Sequence, residues 1–203
     1  MKQLDFFYFF GSGYAFLSVM RIDKLAGEHG VRVRWRPFNV RTVMAENNIA
    51  LRTQAAKVKY MWRDIERRAA QHGVPFVTAP VWPTDPDLLA NRVAIVAVRD
   101  GWCEDYTRAS FRAWYLDGMA LGSRECLAHV LGPLGKDVDA TIAAADAPAI
   151  AEALKAETDA ARSYGIFGSP AFVADGEMFW GDDRLEEAMA WAAGTHPLQM
   201  RRS

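Results

Sequence analysis

The chain has 203 residues, a length that suits one domain or one domain carrying a sizeable insertion. Its composition, 51% hydrophobic and 24% charged residues, is ordinary for a globular protein that buries a proper core. A formal net charge of −1 argues against a nucleic-acid partner, and no apolar run approaches the ~20 residues of a membrane span.

The N-terminal segment has the pattern of a strand, a helix and a second strand. Residues 4–10, LDFFYFF, are rich in aromatics and stop at Gly11, which predicts a buried strand. Apolar residues then recur at steps of three and four from Ala15, which predicts one helix ending near Gly30. Residues 31–36, VRVRWR, alternate between apolar and basic side chains and predict a half-buried strand. Such a unit usually places its two strands in parallel.

From about residue 40 to 165 the sequence predicts helices almost exclusively. A strong apolar stripe around Met61 and Ile65 predicts a helix that ends at Gly73. The proline-rich stretch that follows is too broken for regular structure. Further helices are predicted over residues 86–100, 102–117, 123–132, 137–145 and 148–164.

Strands return after Gly165. The short runs AFVA and EMFW are joined by Asp175-Gly176, which is a strong signal for a β-hairpin. The closing segment predicts a helix with Asp182 as its N-cap and Gly194 at its end.

This order of elements is that of a thioredoxin-like fold interrupted by helices. We therefore predict an α/β protein with two parts. Residues 1–40 and 165–203 form the thioredoxin-like domain, and residues 41–164 form an inserted all-helical domain.

The cysteines and histidines do not form a recognisable reactive or metal-binding pattern. Cys103 and Cys126 are separated by 22 residues, which is neither a CxxC redox pair nor a zinc-ligand spacing. Both lie in predicted helices, where a lone cysteine usually behaves as a small apolar residue. The histidines are scattered without close pairs, so we expect no metal site. This usage is typical of a reducing, cytoplasmic setting.

Ser12 follows the first strand at the predicted start of the first helix. Its hydroxyl is either a plain N-cap or a donor to an anion held where backbone N–H groups lack internal partners. A hydroxyl that donates to a thiolate lowers the pKa of that thiol.

Two later stretches leave a similar choice open. Ser169-Pro170 either starts an edge strand or forms a cis peptide whose backbone pairs with an extended ligand. Asp182 and Asp183 either cap the last helix or hold an α-ammonium group. In a thioredoxin arrangement these two stretches and the Ser12 turn border one groove, and together they offer what glutathione requires.

Four segments make the sequence resemble the 2-hydroxychromene-2-carboxylate isomerase family, which is close to the kappa-class glutathione transferases and to DsbA-type disulfide oxidoreductases. They follow one another in the family's order over nearly the whole chain: DFFYFFGSGYAFLSVMRIDKLA, VRVRWRPFNV, KVKYMWRDIERRA and GIFGSPAFVADGEMFWGDDRLEEAMAW. The resemblance implies a homodimeric, glutathione-dependent enzyme. It would interconvert 2-hydroxychromene-2-carboxylate and trans-o-hydroxybenzylidenepyruvate in aromatic-compound catabolism.

The resemblance also implies which residues bind glutathione. Ser12 matches the serine that donates a hydrogen bond to the sulfur. Ser169 and Pro170 match a cis-proline loop that pairs with the cysteinyl backbone, and Asp182 and Asp183 match a pair that grips the γ-glutamyl end.

Other matches concern the helical part of the site. Lys57 matches a lysine that lies near bound glutathione. Either Asn48 or Asn47 matches an active-site asparagine, because the loop length differs from that of the family. Gly13 stands where the family commonly has Pro or Thr, which predicts a looser turn beside the serine.

Candidate side chains for an aromatic substrate pocket are Tyr14, Tyr60 and Trp82. Two other functions stay open: a kappa-like glutathione transferase or peroxidase, and a glutathione-binding protein without catalysis. A thiol–disulfide oxidoreductase is disfavoured, because the turn GSGY has no cysteine where that chemistry needs a CxxC.

Overall fold

The computed structural model describes residues 2–49, 54–76 and 85–200. Within these ranges the strands are β1 (Gln3–Tyr8), β2 (Arg32–Pro37), β3 (Ala171–Ala174) and β4 (Glu177–Trp180). The helices are α1 (Gly13–Val19), α2 (Ile22–His29), α3 (Val40–Glu46), α4 (Ala55–His72), α5 (Leu89–Asp100), α6 (Cys103–Tyr115), α7 (Arg124–Leu131), α8 (Val138–Ala145), α9 (Pro148–Ser163), α10 (Leu185–Ala192) and α11 (Pro197–Met200).

The four strands form one mixed sheet in the order β2-β1-β3-β4. β1 runs parallel to β2 and antiparallel to β3, and β3 and β4 form the antiparallel hairpin that the Asp-Gly turn predicts. Because β3 is a central strand, Pro170 does not start an edge strand. The predicted α/β, thioredoxin-like fold is confirmed.

The aromatic run of β1 packs on both faces of the sheet, since successive side chains point to opposite sides. Phe6 and Tyr8 belong to the larger hydrophobic core, whereas Phe7 and Phe9 belong to a second core. This two-sided burial explains why the strand is almost continuously apolar rather than alternating.

The first predicted helix is interrupted. α1 ends at Val19 and α2 begins at Ile22, so the single helix expected from Ala15 to Gly30 is wrong. Arg21 lies in the break, and its guanidinium points into the protein, where it meets the carboxylate of Asp182. The predicted end is correct, because Gly30 caps α2 in the left-handed conformation with φ 61°.

The helical block agrees with the sequence prediction within about three residues at each boundary for α5 to α9. α3 was not predicted, since it is a single short helix with only Val40 and Val43 buried. Asn39 is its N-cap, and this was the available signal: its side chain accepts from the backbone N–H groups of Arg41 and Thr42.

The last helix begins differently from the prediction. Residues Asp182–Arg184 form a 3-10 turn, and α10 starts only at Leu185. Asp182 is therefore not the N-cap of α10, and its carboxylate has other partners.

The larger hydrophobic core is continuous across both predicted parts of the chain. It contains Phe6 and Phe172 from the sheet together with Phe111 and Leu131 from the helical block. The boundaries 1–40 plus 165–203 and 41–164 stay a prediction. Across the described part of the chain, no helix is long and apolar enough to cross a bilayer.

Candidate functional site

A direct hydrogen bond joins the Ser12 turn to the Ser169-Pro170 loop, the first two segments that the sequence predicts to form the site. The Ser12 hydroxyl donates to the backbone carbonyl of Ser169 at 2.8 Å, and its oxygen accepts from the N–H of Ala15 at 3.2 Å. The Ser169 hydroxyl in turn accepts from the N–H of Phe9 at 3.0 Å. The end of β1, the start of α1 and the loop before β3 therefore meet at one point.

The third predicted segment reaches the same region. The N–H of Gly181 donates to the carbonyl of Pro170 at 3.0 Å, and the Ser169–Pro170 peptide is cis. One turn into α1, the Ser18 hydroxyl donates to Oδ1 of Asp182 at 3.2 Å. The convergence of the Ser12 turn, the Ser169-Pro170 loop and the Asp182 turn is thus present in the fold.

Asp182 is buried in a network of ion pairs and is not open to the groove. Its side chain has 0% exposure, and its two oxygens are taken by Arg21 at 2.9 Å and Arg68 at 2.6 Å. The role of Asp182 in gripping a γ-glutamyl ammonium group stays a prediction, and in the structure this carboxylate pairs with arginines of the chain. Two guanidinium groups therefore already pair with the carboxylate.

The same network ties α4 and α10 to the start of α2. Arg21 also pairs with Glu186 at 2.7 Å and approaches the ring of His72 at 2.8 Å. Burial, and then the Arg21 charge, lower the pKa of His72 below its usual value. Arg21 and Arg68 were missed in the sequence, where nothing distinguishes an inward-facing arginine from a solvated one.

Asp183, unlike Asp182, is exposed to solvent. Its side chain is 52% exposed and pairs only loosely with Arg184, at 3.2 Å, on the surface of the turn. It stays a candidate for holding a ligand ammonium group.

Gly13 is a site of close packing rather than a loose turn. A Cβ atom added there would lie 2.4 Å from Cδ1 of Ile65 and 2.6 Å from Oη of Tyr115, and neither distance is tolerable. Ser12 beside it is held by hydrogen bonds to three segments of the chain. The looser serine expected from Gly13 is therefore not what the structure has.

The three candidate pocket aromatics have different outcomes. Tyr14 is half-buried, and its hydroxyl donates to Asp64 on α4 at 3.0 Å. Burial, followed by this hydrogen bond, raises the pKa of Tyr14. Tyr60 is 60% exposed on α4, where the guanidinium of Arg67 lies over its ring. Trp82 lies outside the described residues.

The remaining glutathione-site candidates lie at exposed positions. Lys57 is exposed in the first turn of α4, about 12 Å along the helix from Ile65. Asn48 is exposed beyond the end of α3 with φ 56°, and Asn47 is exposed beside it with its amide donating to the carbonyl of Val43. Their roles in binding stay predictions, and the choice between Asn47 and Asn48 stays open.

Neither cysteine supplies a reactive thiolate. Cys103 and Cys126 are buried and unpaired, as expected for small apolar side chains. Burial raises the pKa of each thiol to about 11. Thiol chemistry at the Ser12 site therefore needs an external thiol.

Comparison with known proteins places this geometry in a family. The model of the DSBA-like thioredoxin domain matches residues 3–190. A 2-hydroxychromene-2-carboxylate isomerase of Sphingobium xenophagum is 30% identical over 189 residues, which cover 91% of this chain and 95% of that protein. The chain is a DsbA-like thioredoxin-domain protein of the 2-hydroxychromene-2-carboxylate isomerase family. The expectation that it is an enzyme is confirmed by this membership.

Solved structures agree with the assignment. A 2-hydroxychromene-2-carboxylate isomerase structure superposes with a TM-score of 0.82 at 26% identity, covering 93% of this chain and 95% of the other. The cytosolic disulfide reductase DsbM of Pseudomonas aeruginosa, solved with GSH, has a TM-score of 0.63 at 20% identity and covers 98% and 99%. The second likeness concerns the fold alone.

Proposed function

We propose that this member of the isomerase family interconverts 2-hydroxychromene-2-carboxylate and trans-o-hydroxybenzylidenepyruvate, and that it uses glutathione to do so. The observation that carries the proposal is the hydrogen bond between the Ser12 hydroxyl and the Ser169 carbonyl. It joins the two segments that would hold the cysteinyl part of glutathione, in a turn that has no cysteine of its own.

The residues present fit a bound cysteinyl thiol through an exchange of hydrogen bonds. The one proton of the Ser12 hydroxyl is directed at the Ser169 carbonyl. A cysteinyl amide N–H donating to that carbonyl would replace it, so the carbonyl stays satisfied. The Ser12 proton is then free to turn towards the sulfur, where a hydrogen bond to the ionised form lowers the thiol pKa.

Charged side chains around the turn would hold the ends of the tripeptide. The exposed carboxylate of Asp183 suits the γ-glutamyl ammonium group better than the buried carboxylate of Asp182 does. Lys57 would attract an anionic group of glutathione or substrate. Asn48 or Asn47 would add an amide donor from the end of α3.

The chemistry follows from an added thiolate. When bound, glutathione would supply a thiolate for reversible addition to the conjugated carbon of the opened-ring substrate, which is what the interconversion of the two double-bond geometries needs. Ser12 keeps a proton directed at the sulfur and so favours its ionised form at neutral pH. Tyr14 and Tyr60, on neighbouring faces of α1 and α4, would flank the aromatic ring of the substrate.

The test is the variant Ser12→Ala assayed with 2-hydroxychromene-2-carboxylate and reduced glutathione. Loss of one aimed donor is expected to lower kcat by about 10²–10³-fold. The pKa of the bound thiol, followed by its ultraviolet thiolate absorbance, is expected to rise. Ser12→Thr keeps the hydroxyl and is the matched control, expected to retain most activity.

The outcomes separate the alternatives. If Ser12→Ala changes neither turnover nor the thiol pKa, the role of Ser12 is wrong. Conversion of chlorodinitrobenzene or an organic hydroperoxide, without isomerase turnover, would indicate a kappa-like transferase or peroxidase. Tight glutathione binding without any turnover would indicate a binding protein.

The proposal also includes the cell compartment and the oligomeric state in which the enzyme acts. A reducing, cytoplasmic compartment supplies reduced glutathione and suits two unpaired cysteines. A homodimer stays an expectation from the family, and sedimentation of the purified chain would test it.

A further inference from the structure

Three tyrosines of the helical block and sheet are wholly buried, and their hydroxyl groups differ in one respect. Tyr8 bonds Thr107 at 2.7 Å, and Tyr106 donates to the carbonyl of Ala90 at 3.1 Å. The Tyr115 hydroxyl has no hydrogen-bond partner in the described part of the chain, although its side chain is 1% exposed. A buried hydroxyl left without a partner destabilises the folded state. A phenylalanine at this position would avoid that cost, so the hydroxyl needs an explanation.

The unpartnered hydroxyl lies against the candidate site. The position that a Cβ of Gly13 would occupy is 2.6 Å from Oη of Tyr115, so the oxygen packs directly on the residue that follows Ser12. The absence of a side chain at Gly13 is what lets the hydroxyl approach this close.

The Tyr115 ring is held rigidly, so the oxygen cannot swing away to find another partner. Phe16 stacks on the ring with centroids 4.1 Å apart, and Trp114 packs edge-on at 4.7 Å. The hydroxyl is therefore aimed at the Ser12–Gly13 turn by aromatic packing on two sides.

Trp62 of α4 packs near both the Tyr115 ring and Gly13. Its indole is half-buried, its centroid is 6.4 Å from that of Tyr115, and its Cζ3 lies 3.4 Å from the added Cβ position at Gly13. The end of the buried Ile65 side chain lies closer still, with Cδ1 2.4 Å from the same position, so both side chains have to shift to open the space above Gly13.

We propose that Tyr115 is a further catalytic residue, whose hydroxyl donates a second hydrogen bond to the sulfur held at Ser12 once Trp62 and the end of the Ile65 side chain have moved aside. The inference rests on the proposed function, because it needs a thiol at this turn. The liganded state would give the hydroxyl the partner that it lacks without ligand. Two donors, one from Ser12 and one from Tyr115, would then hold the anionic sulfur.

The test compares Tyr115→Phe with Tyr106→Phe, a buried tyrosine whose hydroxyl already has a partner. For Tyr115→Phe we expect kcat to fall about 10- to 100-fold, the value of a hydrogen bond to a charged group, while the bound thiol pKa rises. Resistance to urea should be unchanged or higher, because an unpartnered hydroxyl is removed. Tyr106→Phe should lose stability and keep both the thiol pKa and kcat.

Each outcome has one meaning. If wild-type protein binds no glutathione, the proposed function fails, and the inference falls with it. If the wild type binds and turns over but Tyr115→Phe matches it in kcat and thiol pKa, only the inference fails. Glutathione should also change the tryptophan fluorescence of the wild type more than that of Trp62→Phe. Equal changes would contradict the movement of Trp62 that the contact requires.

Discussion

At the scale of single residues, packing decides which amino acid can occupy position 13, next to Ser12. Gly13 has no unusual backbone angle, so its need for glycine is steric and not conformational. The space a side chain would take is filled by Ile65 and Tyr115. The rigid Tyr115 ring cannot yield as a flexible side chain would, because Phe16 stacks on it and Trp114 packs edge-on against it.

We therefore expect Gly13→Ala to lower the free energy of unfolding by about 1–3 kcal/mol, the usual cost of overpacking a core. Gly27→Ala is the matched control, because Gly27 lies inside α2 and an added Cβ there meets no atom within 4 Å. That change should raise stability by about 0.5–1 kcal/mol through helix propensity. Urea unfolding of both variants measures the difference, and equal effects would contradict the steric argument.

Neighbouring residues of one type also differ sharply in environment. Asp182 and Asp183 are adjacent in sequence, yet one carboxylate is wholly buried between two guanidinium groups and the other is about half exposed. From the sequence they formed one acidic pair with one expected role. The 3-10 turn points the two side chains in different directions, and this is what gives them different environments.

At the scale of elements, the Asp182 network fastens three segments together. Arg21 comes from the break between α1 and α2, Arg68 from α4, and Asp182 from the 3-10 turn before α10. Removing one charge from such a buried set leaves the others uncompensated, which is far more costly than the net value of the pairs. The interruption of the first helix is what places Arg21 in this position.

The adjacent aspartates provide a prediction for this network. Asp182→Asn is expected to lower the free energy of unfolding by about 3–5 kcal/mol, because Arg68 loses its paired carboxylate and Arg21 keeps only Glu186. Asp183→Asn, at the surface, should change it by less than about 0.5 kcal/mol. Under the proposed function Asp183→Asn should instead weaken glutathione binding, measured by calorimetry. Equal losses of stability in the two variants would show that the network is not the cause.

At the scale of the whole molecule, the sheet and the helical block share one hydrophobic core. β1 contributes aromatic side chains to it, and so do α1 and α6. Phe10 stacks on Phe111 at 5.2 Å, and Phe16 stacks on Tyr115 at 4.1 Å. When the chain unfolds, aromatic side chains of the sheet region and of the helical block therefore lose their contacts with one another at the same time.

We expect the chain to unfold in a single cooperative transition, although the sequence predicts a two-part organisation. Far-ultraviolet circular dichroism, dominated by the helices, should change at the same urea concentration as near-ultraviolet circular dichroism, which reports on the packed aromatics. Two separate midpoints would mean that the helical block unfolds independently.

Much of the fold was predictable because it rests on local patterns. The aromatic run of β1, the Asp-Gly hairpin and the glycine-ended helices follow from burial and backbone conformation, which neighbouring residues specify. The missed features have a common reason: the break at Arg21 and the start of α10 depend on partners far away in the chain. A local pattern continues through Arg21 as one helix, whereas the ion pair that Arg21 makes at the break joins it to Asp182, 161 residues later.

By itself, the sequence determined the thioredoxin-like order of elements, the family and the three segments that meet at Ser12. The order of elements follows from residue types and spacing along the chain, and the family follows from the resemblance of four segments to its members. Tertiary structure alone decided which aspartate is open to a ligand, why position 13 is glycine and which buried hydroxyl has no partner. Those properties depend on distances of a few ångströms between residues that are remote in sequence, and packing sets such distances.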